Sequence, residues 1–329
     1  MQRFNEAFDH RGVDGMRARD GQVADKLAHV GAEGGLVKIG IVFPQADIGT
    51  DPNVIRAFAR GAEDAGFDYL LAYDHITGVH PDRFSGATIP GFAGPPYVHD
   101  SPFHEPLVLF AHLAGITSRL EFVTSVLVLP QRSTPLVAKQ AAEVDLLSGG
   151  RLRLAVGVGW NFAEYASLDA DFDTRNRRIE EQIVVLRKLW TEPLVTFKGR
   201  WHDLDRVAIT PRPARPLPIW IGGGAGEHVL RRVARLADGW MPLLQSGEDP
   251  EKAMARLRAL LVEAGRDPGS FGLDARIRGT GGPADWVAAA RRWQALGATH
   301  LCLSAGRGIP APEQLDTATR MKQVLTGVL

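Results

Sequence analysis

Eight short apolar segments alternate with helical segments along most of this chain, and this alternation limits the folds that it can adopt. The segments run VKIGIVF, FDYLLAY, LEFVTSVLVL, RLRLAVG, LPIWIG, DGWMPL, GLDARIR and THLCLS. Near-continuously apolar strands separated by helices are typical of a parallel sheet that is covered on both faces. Because eight such units can close on themselves, the sequence predicts a (β/α)8 (TIM) barrel, with an open doubly wound sheet as the alternative.

Helix-boundary signals support this repeat and show where it is interrupted. Asp51-Pro52 and Glu105-Pro106 each provide an N-cap followed by a first-turn proline, and Gly66 follows the first helix as a C-terminal stop. The alternation pauses twice, after the second and the fourth strands. Residues 76–104 form a long loop of the kind that covers active sites, and Lys198-Gly199 suits the turn of a hairpin.

Composition divides the chain into an extension and one domain. Residues 1–36 carry many charges and few large apolar side chains, so we expect a poorly ordered extension. Residues 37–329 are long enough for a single barrel domain. The single cysteine, Cys302, lies in an apolar strand, where we expect a buried, inert thiol that has no partner for an intrachain disulfide.

Charge and hydropathy point to a cytoplasmic protein that acts on small molecules. Thirty-eight basic and 38 acidic side chains give a formal net charge of zero, which offers no reason to expect nucleic acid or an acidic membrane as a partner. No apolar run approaches the roughly 18 residues of a membrane span, and the N-terminal residues lack the apolar core of a signal peptide.

A histidine follows the second predicted strand, at the face of a barrel where ligands bind. His75 can exchange a proton near neutral pH, although a structural histidine would fit the same position. Asp74 could hold His75 in one tautomer, but adjacent residues on a strand point to opposite faces, so Asp74 is expected to cap the loop or to pair beneath the barrel. The loop histidines His80, His99 and His104 lack the compact spacing of metal ligands, so no metal site is predicted.

Small residues mark the ends of the third and fourth strands. Ser125 and Val126 lie where a small polar group interrupts an otherwise apolar strand, and packing alone would also explain them. Gly157 and Gly159 allow a ligand to approach the backbone closely, or they only turn the chain.

A glycine run ends the fifth strand. Gly222, Gly223 and Gly224 precede a predicted helix, and backbone N–H groups exposed at a helix N-terminus favour phosphate. A glycine-rich loop by itself is a weak signal, because it matches no complete nucleotide-binding motif.

Taken together, these segments resemble the luciferase-like monooxygenase superfamily, and most closely its members that use the deazaflavin coenzyme F420. The resemblance covers about residues 37–305. Its most specific stretch is TSRLEFVTSVLVLPQRSTPLVAKQAAEVDLLSGGRLRLAVGVGW, followed by IWIGGG and ADGW. It implies a bacterial luciferase-like barrel, a flavin or deazaflavin cofactor, and a homodimer that packs through barrel helices.

The resemblance also implies roles for single residues. His75 would lie beside the reactive ring, and the Ser125–Val126 bond would be a non-proline cis peptide that bulges against the ring's back face. The loop from Gly222 to Gly224 would bind the cofactor phosphate. The residues expected to line the substrate pocket are Phe43, Gln45, Trp160 and Asn161.

Two positions depart from the pattern of some F420-dependent dehydrogenases. Those enzymes have a tryptophan four residues after the histidine and a glutamate in the loop after the fourth strand, whereas this chain has Val79 and the run Trp160-Asn161-Phe162. Glu164 lies nearby in the sequence but not at the position of that glutamate. No particular substrate is therefore predicted.

The leading hypothesis is hydride transfer between F420 and an organic substrate, with His75 exchanging the proton. The nearest alternative is an FMN-dependent monooxygenase. Alternatives of other classes are a non-catalytic flavin-binding protein and an unrelated barrel enzyme such as an aldolase. No lysine falls at the end of a predicted barrel strand, which disfavours a lysine-dependent aldolase.

Overall fold

Parallel strands close into a barrel in the computed structural model, which describes residues 37–85 and 94–329. The strands are β1 (Lys38–Val42), β2 (Tyr69–Ala72), β3 (Glu121–Thr124), β4 (Leu127–Val128), β5 (Leu152–Gly157), β6 (Val195–Lys198), β7 (Asp203–Val207), β8 (Ile219–Gly223), β9 (Gly239–Pro242), β10 (Gly272–Arg278) and β11 (His300–Ser304). The barrel order is β3-β2-β1-β11-β10-β9-β8-β5, and pairing of β3 and β4 with β5 closes it. The predicted eight-stranded barrel is therefore confirmed, with β3 and β4 together forming its third strand.

Helices follow the barrel strands and cover the outside. They are α1 (Pro52–Asp64), α2 (Pro106–Ala114), α3 (Thr134–Ser148), α4 (Phe162–Ser167), α5 (Arg175–Thr191), α6 (Glu227–Leu236), α7 (Pro250–Glu263), α8 (Pro283–Ala295) and α9 (Ala311–Thr326). The carboxylates of Asp51 and Glu105 accept backbone N–H groups in the first turns of α1 and α2, as their place before proline predicts. The sequence analysis had not predicted the short helix α4 or the C-terminal helix α9.

The insertion after the fourth barrel strand is an antiparallel hairpin of β6 and β7. Its turn begins at Gly199, as predicted, and its backbone binds a carboxylate of α5. Glu181 accepts hydrogen bonds from the backbone N–H groups of Arg200, Trp201 and His202 at 2.8–2.9 Å. A side chain at Gly199 would overlap this carboxylate, because an added Cβ would lie 2.4 Å from it. The hairpin is thus fixed to the barrel wall.

An ion pair fills the N-terminal end of the barrel interior. The guanidinium of Arg153 lies between the rings of Tyr69 and Trp220, 4.7 and 4.4 Å from their centroids. It pairs with Asp274 at 3.0 Å and with Glu121 at 3.6 Å. The Tyr69 hydroxyl also donates to Asp274. Because this end of a barrel lies away from the ligand-binding face, the cluster serves stability.

The middle of the barrel interior is apolar and includes the single cysteine. Cys302 is 1% exposed and packs with Leu71, Val123 and Ala155. Burial raises the pKa of its thiol, which agrees with the predicted inert role. The prediction of a poorly ordered extension over residues 1–36 falls outside the described residues. Within the described part of the chain, every helix is too short or too polar to cross a membrane.

Candidate active site

The chain leaving β2 is held by a buried carboxylate. Asp74 is 2% exposed and accepts hydrogen bonds from the Val128 backbone N–H at 2.8 Å and from Arg132 at 2.7 Å. Arg132 also pairs with Glu105 at the start of α2. Asp74 therefore ties the end of β2 to the interrupted third strand, one of the structural roles that the sequence allowed, and it fixes the position of the next residue, His75.

His75 is paired with Glu164, a contact that the sequence did not predict. Its Nδ1 lies 3.2 Å from Oε2 of Glu164, whose side chain is 1% exposed. The same carboxylate accepts the backbone N–H groups of Ile76 and Thr77 and the hydroxyl of Tyr97. Although Glu164 is out of register with the glutamate of some relatives, it therefore reaches the histidine from the first turn of α4.

The protonation states of this pair follow from its contacts. Burial opposes ionisation of Glu164, but the hydrogen bonds from His75 and the two backbone N–H groups outweigh it and lower the pKa of the carboxyl. An ionised Glu164 requires a proton on Nδ1 of His75, so the neutral imidazole presents its lone pair on Nε2. No described residue hydrogen-bonds to that Nε2. The pair thus leaves Nε2 as the ring nitrogen that can accept a proton.

Aromatic rings enclose the histidine. The rings of Tyr97 and Phe103, both from the long loop after β2, lie 3.8 and 5.2 Å from the imidazole centroid, and Trp160 lies at 6.2 Å. Asn161 caps α4 through its side-chain oxygen and donates to the Tyr97 hydroxyl at 2.6 Å. The His75 side chain is consequently 15% exposed. The described ends of the loop therefore restrict water around this group.

The Ser125–Val126 peptide is cis, as the resemblance implied. The Val126 side chain projects between the ends of β5 and β8, where Cβ atoms added at Gly157 and Gly222 would lie 2.4 and 2.3 Å from its methyl groups. Gly159 similarly leaves room for Val128 and has a φ of 65°. In the structure these three glycines make space for valines, and their contact with a cofactor stays a prediction.

The glycine loop after β8 binds a carboxylate of the protein itself. The N–H of Ala225 donates to Oε1 of Glu248 at 3.1 Å, and an added Cβ at Gly224 would lie 3.5 Å from this carboxylate. At Gly223 an added Cβ would instead meet Val229 of α6 at 2.9 Å. The loop leads into α6, where no side chain caps the N-terminus. The N–H of Ala225 therefore already binds an anionic group, the carboxylate of Glu248.

Two of the predicted pocket residues are buried and contact the C-terminal end of the long loop after β2. Phe43 is 0% exposed and packs against Phe58 and His104 in the main core. Gln45 is 1% exposed, and its amide donates to the carbonyls of Tyr73 and His104 and accepts the His104 N–H. Among the four predicted pocket residues, only Trp160 and Asn161 lie in the cluster around His75. Substrate contact stays a prediction for all four.

Tyr97 and Arg276, which lie near the barrel mouth, had no predicted role, and the contact of Glu164 with His75 was not predicted. Arg276 carried a usable signal, because it alternates with Asp274 along its strand and therefore shares the inward face of Asp274. Tyr97 carried none, since its place depends on the path of a long loop. Among residues 37–85 and 94–329, no group of three or more metal-ligating side chains could hold a metal ion.

Comparison with known proteins identifies the family. The model for luciferase-like monooxygenases matches residues 37–319. The chain belongs to the luciferase-like monooxygenase family. An uncharacterised protein of Mycobacterium tuberculosis is 36% identical over 227 residues, which cover 68% of this chain and 77% of that protein. An F420-dependent hydroxymycolic acid dehydrogenase of the same species is 30% identical and covers 73% of this chain and 61% of its own length.

Other similar proteins in the family differ in cofactor and reaction. The pyrimidine monooxygenase RutA of Allorhizobium ampelinum is 27% identical over 72% of this chain and 65% of its own length. An F420-dependent secondary alcohol dehydrogenase superimposes with a TM-score of 0.70 at 16% identity, covering 88% of this chain and 99% of that chain. This luciferase-like oxidoreductase family therefore includes F420-dependent dehydrogenases and flavin monooxygenases. At that identity, the structural likeness shows the fold alone.

Proposed function

We propose that this protein is an oxidoreductase that transfers a hydride between coenzyme F420 and a small organic substrate. The observation that carries the proposal is the pairing of His75 with the buried carboxylate of Glu164 at the barrel mouth. The F420-dependent dehydrogenase among the relatives supports the choice of cofactor. An FMN-dependent monooxygenase is the second candidate, and RutA among the relatives favours it.

The residues at the mouth fit a flavin or deazaflavin. Val126 and the cis peptide form an apolar surface next to His75's strand, on which a flat ring would rest. The uncapped start of α6 would offer N–H groups to a phosphate, and a carboxylate already lies against the N–H of Ala225, directly after Gly222–Gly224. We therefore assign the ring to the Val126 surface and the phosphate to the glycine loop.

The chain's own residues would transfer the proton that accompanies the hydride and would exclude water from the site. When bound, the deazaflavin would supply the two-electron chemistry that no side chain provides. Nε2 of His75 would exchange a proton with the substrate oxygen, while Glu164 keeps the imidazole in one tautomer and stabilises its protonated form. Tyr97, Phe103 and Trp160 would exclude water from this proton and hold the substrate against the ring.

The cofactor assignment is tested by titrating the purified protein separately with oxidised F420 and with FMN at matched ionic strength, following fluorescence. Clearly tighter binding of F420 is the expected result and would justify a substrate screen with His75→Ala as control. Preferential binding of FMN would overturn the assignment of F420 as the cofactor and would favour oxygen-dependent chemistry. Cofactor binding without turnover of any screened substrate would favour a non-catalytic flavin-binding protein.

Replacing Glu248 by glutamine is expected to tighten binding of the phosphate-bearing cofactor. The Glu248 carboxylate lies against the N–H of Ala225, so its negative charge opposes a second anion at the glycine loop. Removing one like charge at short range is worth about 1 kcal/mol at a partly exposed site, which corresponds to roughly a fivefold lower Kd. Isothermal titration with FMN and riboflavin measures the effect.

Riboflavin is the control in this experiment, because it lacks the phosphate. Its Kd should be the same for the wild type and for Glu248→Gln. An equal gain in affinity for riboflavin, or weaker binding of FMN, would contradict a phosphate site at the glycine loop.

We also propose that the protein is a homodimer that packs through barrel helices. Three large apolar side chains lie exposed on the neighbouring helices α2 and α3, namely Val108, Leu136 and Leu147, at 65%, 56% and 65% exposure. Exposed apolar side chains on adjacent helices are suited to an interface. Sedimentation velocity should give a dimer for the wild type and a monomer for Leu136→Arg, and a monomeric wild type would contradict the proposal.

A further inference from the structure

Arg276 lies on the inward face of β10 and crosses the barrel towards the ends of the second and third strands. Its two terminal nitrogens donate to the Tyr73 hydroxyl at 2.9 Å and to the Ser125 hydroxyl at 3.1 Å. Ser125 belongs to the cis peptide of the barrel mouth, and Tyr73 precedes Asp74 and His75. The guanidinium therefore lies at the level of the candidate active site.

This cation has no ionic partner among the described residues. The nearest inward carboxylate on its strand is Asp274, which is already bound by Arg153 at 3.0 Å and by the Tyr69 hydroxyl at 2.8 Å. The Nε of Arg276 is enclosed and has no hydrogen-bond acceptor. Both groups that accept from Arg276 are neutral hydroxyls. The barrel mouth thus contains a half-buried positive charge that lies over the Tyr73 ring, 5.1 Å from its centroid, and that interacts with Asp274 only at a distance, because that carboxylate is paired with Arg153.

An uncompensated cation in such a place is costly unless a ligand supplies the opposite charge. Neutral side chains of similar length could bridge Tyr73 and Ser125 without that cost, so those two hydrogen bonds do not explain an arginine. The other arginine inside the barrel, Arg153, has two carboxylate partners. The contrast between the two arginines points to a missing anion at the mouth.

We propose that Arg276 stabilises negative charge on the ring of the bound cofactor, so that it tunes the ring's acidity and reactivity. This inference rests on the proposed function. Charge placed near the nitrogens of a flavin-type ring is one of the main ways in which a protein sets its electronics. The deazaflavin ring carries an acidic hydroxyl whose anion is conjugated with the pyrimidine carbonyls, and a guanidinium beside those oxygens favours the anionic form.

The test is a pH titration of the visible absorption of bound oxidised F420, which reports ionisation of the ring hydroxyl. The ring pKa should be lower on the wild-type protein than in free solution. Arg276→Gln, which keeps a donor for Tyr73 or Ser125, is expected to raise the bound pKa by about one unit, a tenfold change in the ionisation equilibrium. Arg276→Lys should retain most of the lowering.

Arg292→Gln is the matched control, since it removes an exposed arginine from α8 on the outside of the barrel. The bound ring should have the wild-type pKa in this variant. If F420 does not bind the wild type, reduced FMN replaces it as the probe, with ionisation of its ring followed in the same way.

The outcomes separate this inference from the proposed function. If neither cofactor binds the wild type, the proposed function and this assignment are both overturned. If binding is normal but the ring pKa is the same free, bound to the wild type and bound to Arg276→Gln, only the assignment is overturned. If the Gln variant does not fold, the comparison of the free ring with the wild-type-bound ring still decides, because a bound pKa that is not lowered overturns the assignment.

Discussion

Replacing Arg153 by methionine is expected to lower the free energy of unfolding by about 3–5 kcal/mol. Methionine keeps much of the side-chain length between Tyr69 and Trp220, but it leaves the fully buried carboxylate of Asp274 without its ion pair. Burial already opposes ionisation of that group and raises the pKa of Asp274, so the loss of Arg153 removes the main compensating charge. Urea unfolding followed by circular dichroism measures the change.

Two further variants show whether charge is the cause. Arg292→Met, which breaks an exposed ion pair on α8, should leave the stability close to that of the wild type. Adding Asp274→Asn to Arg153→Met should recover part of the loss, because it removes the unpaired charge. An Arg153→Met protein as stable as the wild type would contradict a stabilising role for this cluster.

Replacing His75 by asparagine is expected to lower kcat by about 10²–10⁴-fold, because general acid–base catalysis contributes on that order. Asparagine still reaches Glu164 with a donor, but it cannot accept or deliver a proton at the position of Nε2. The Kd for the cofactor should change little. Steady-state turnover of a substrate that the wild type accepts, with the cofactor at saturation, measures the effect.

Glu164→Gln separates positioning from proton exchange. Loss of the carboxylate that orients the imidazole should lower kcat by about 10–100-fold, which is less than the loss of His75 itself.

The pKa of Glu164 is lowered in the folded protein, so its ionised form adds stability above the ordinary glutamate pKa. That contribution is lost as the pH falls through the folded-state value, and the Gln variant should lack this acid-side dependence.

The control for both variants is Ser167→Ala, which removes the hydroxyl contacts with Thr77 and with the backbone carbonyl of Glu164 but leaves both side chains of the His75–Glu164 pair in place. It should retain wild-type turnover. A His75→Asn protein with full kcat would show that the histidine has a structural role, which is the alternative that its sequence position also allowed.

The sequence by itself determined the architecture and the region of the site. Eight apolar runs alternating with helices indicate a parallel sheet covered by helices and favour a barrel, because strands buried on both faces must be covered by the helices between them. Proline after an N-cap residue located the starts of α1 and α2 within a residue. The barrel rule then placed His75 at the mouth from its position after β2 alone. The resemblance supplied the cis peptide at Ser125–Val126, which no local pattern contains.

Only the tertiary structure decided which groups meet around that histidine. Glu164 lies 89 residues from His75, and a short helix that the sequence did not predict turns its carboxylate inward. Gln45 and Asn161 were predicted in the substrate pocket, and the structure shows which backbone or loop groups their side chains hold. Arg276 and Arg153 both lie in barrel strands, and the sequence does not distinguish them. In the closed barrel Arg153 pairs with carboxylates, whereas Arg276 donates to the neutral hydroxyls of Tyr73 and Ser125. Periodicity fixes which face a side chain occupies, whereas its partners depend on how distant strands come into register.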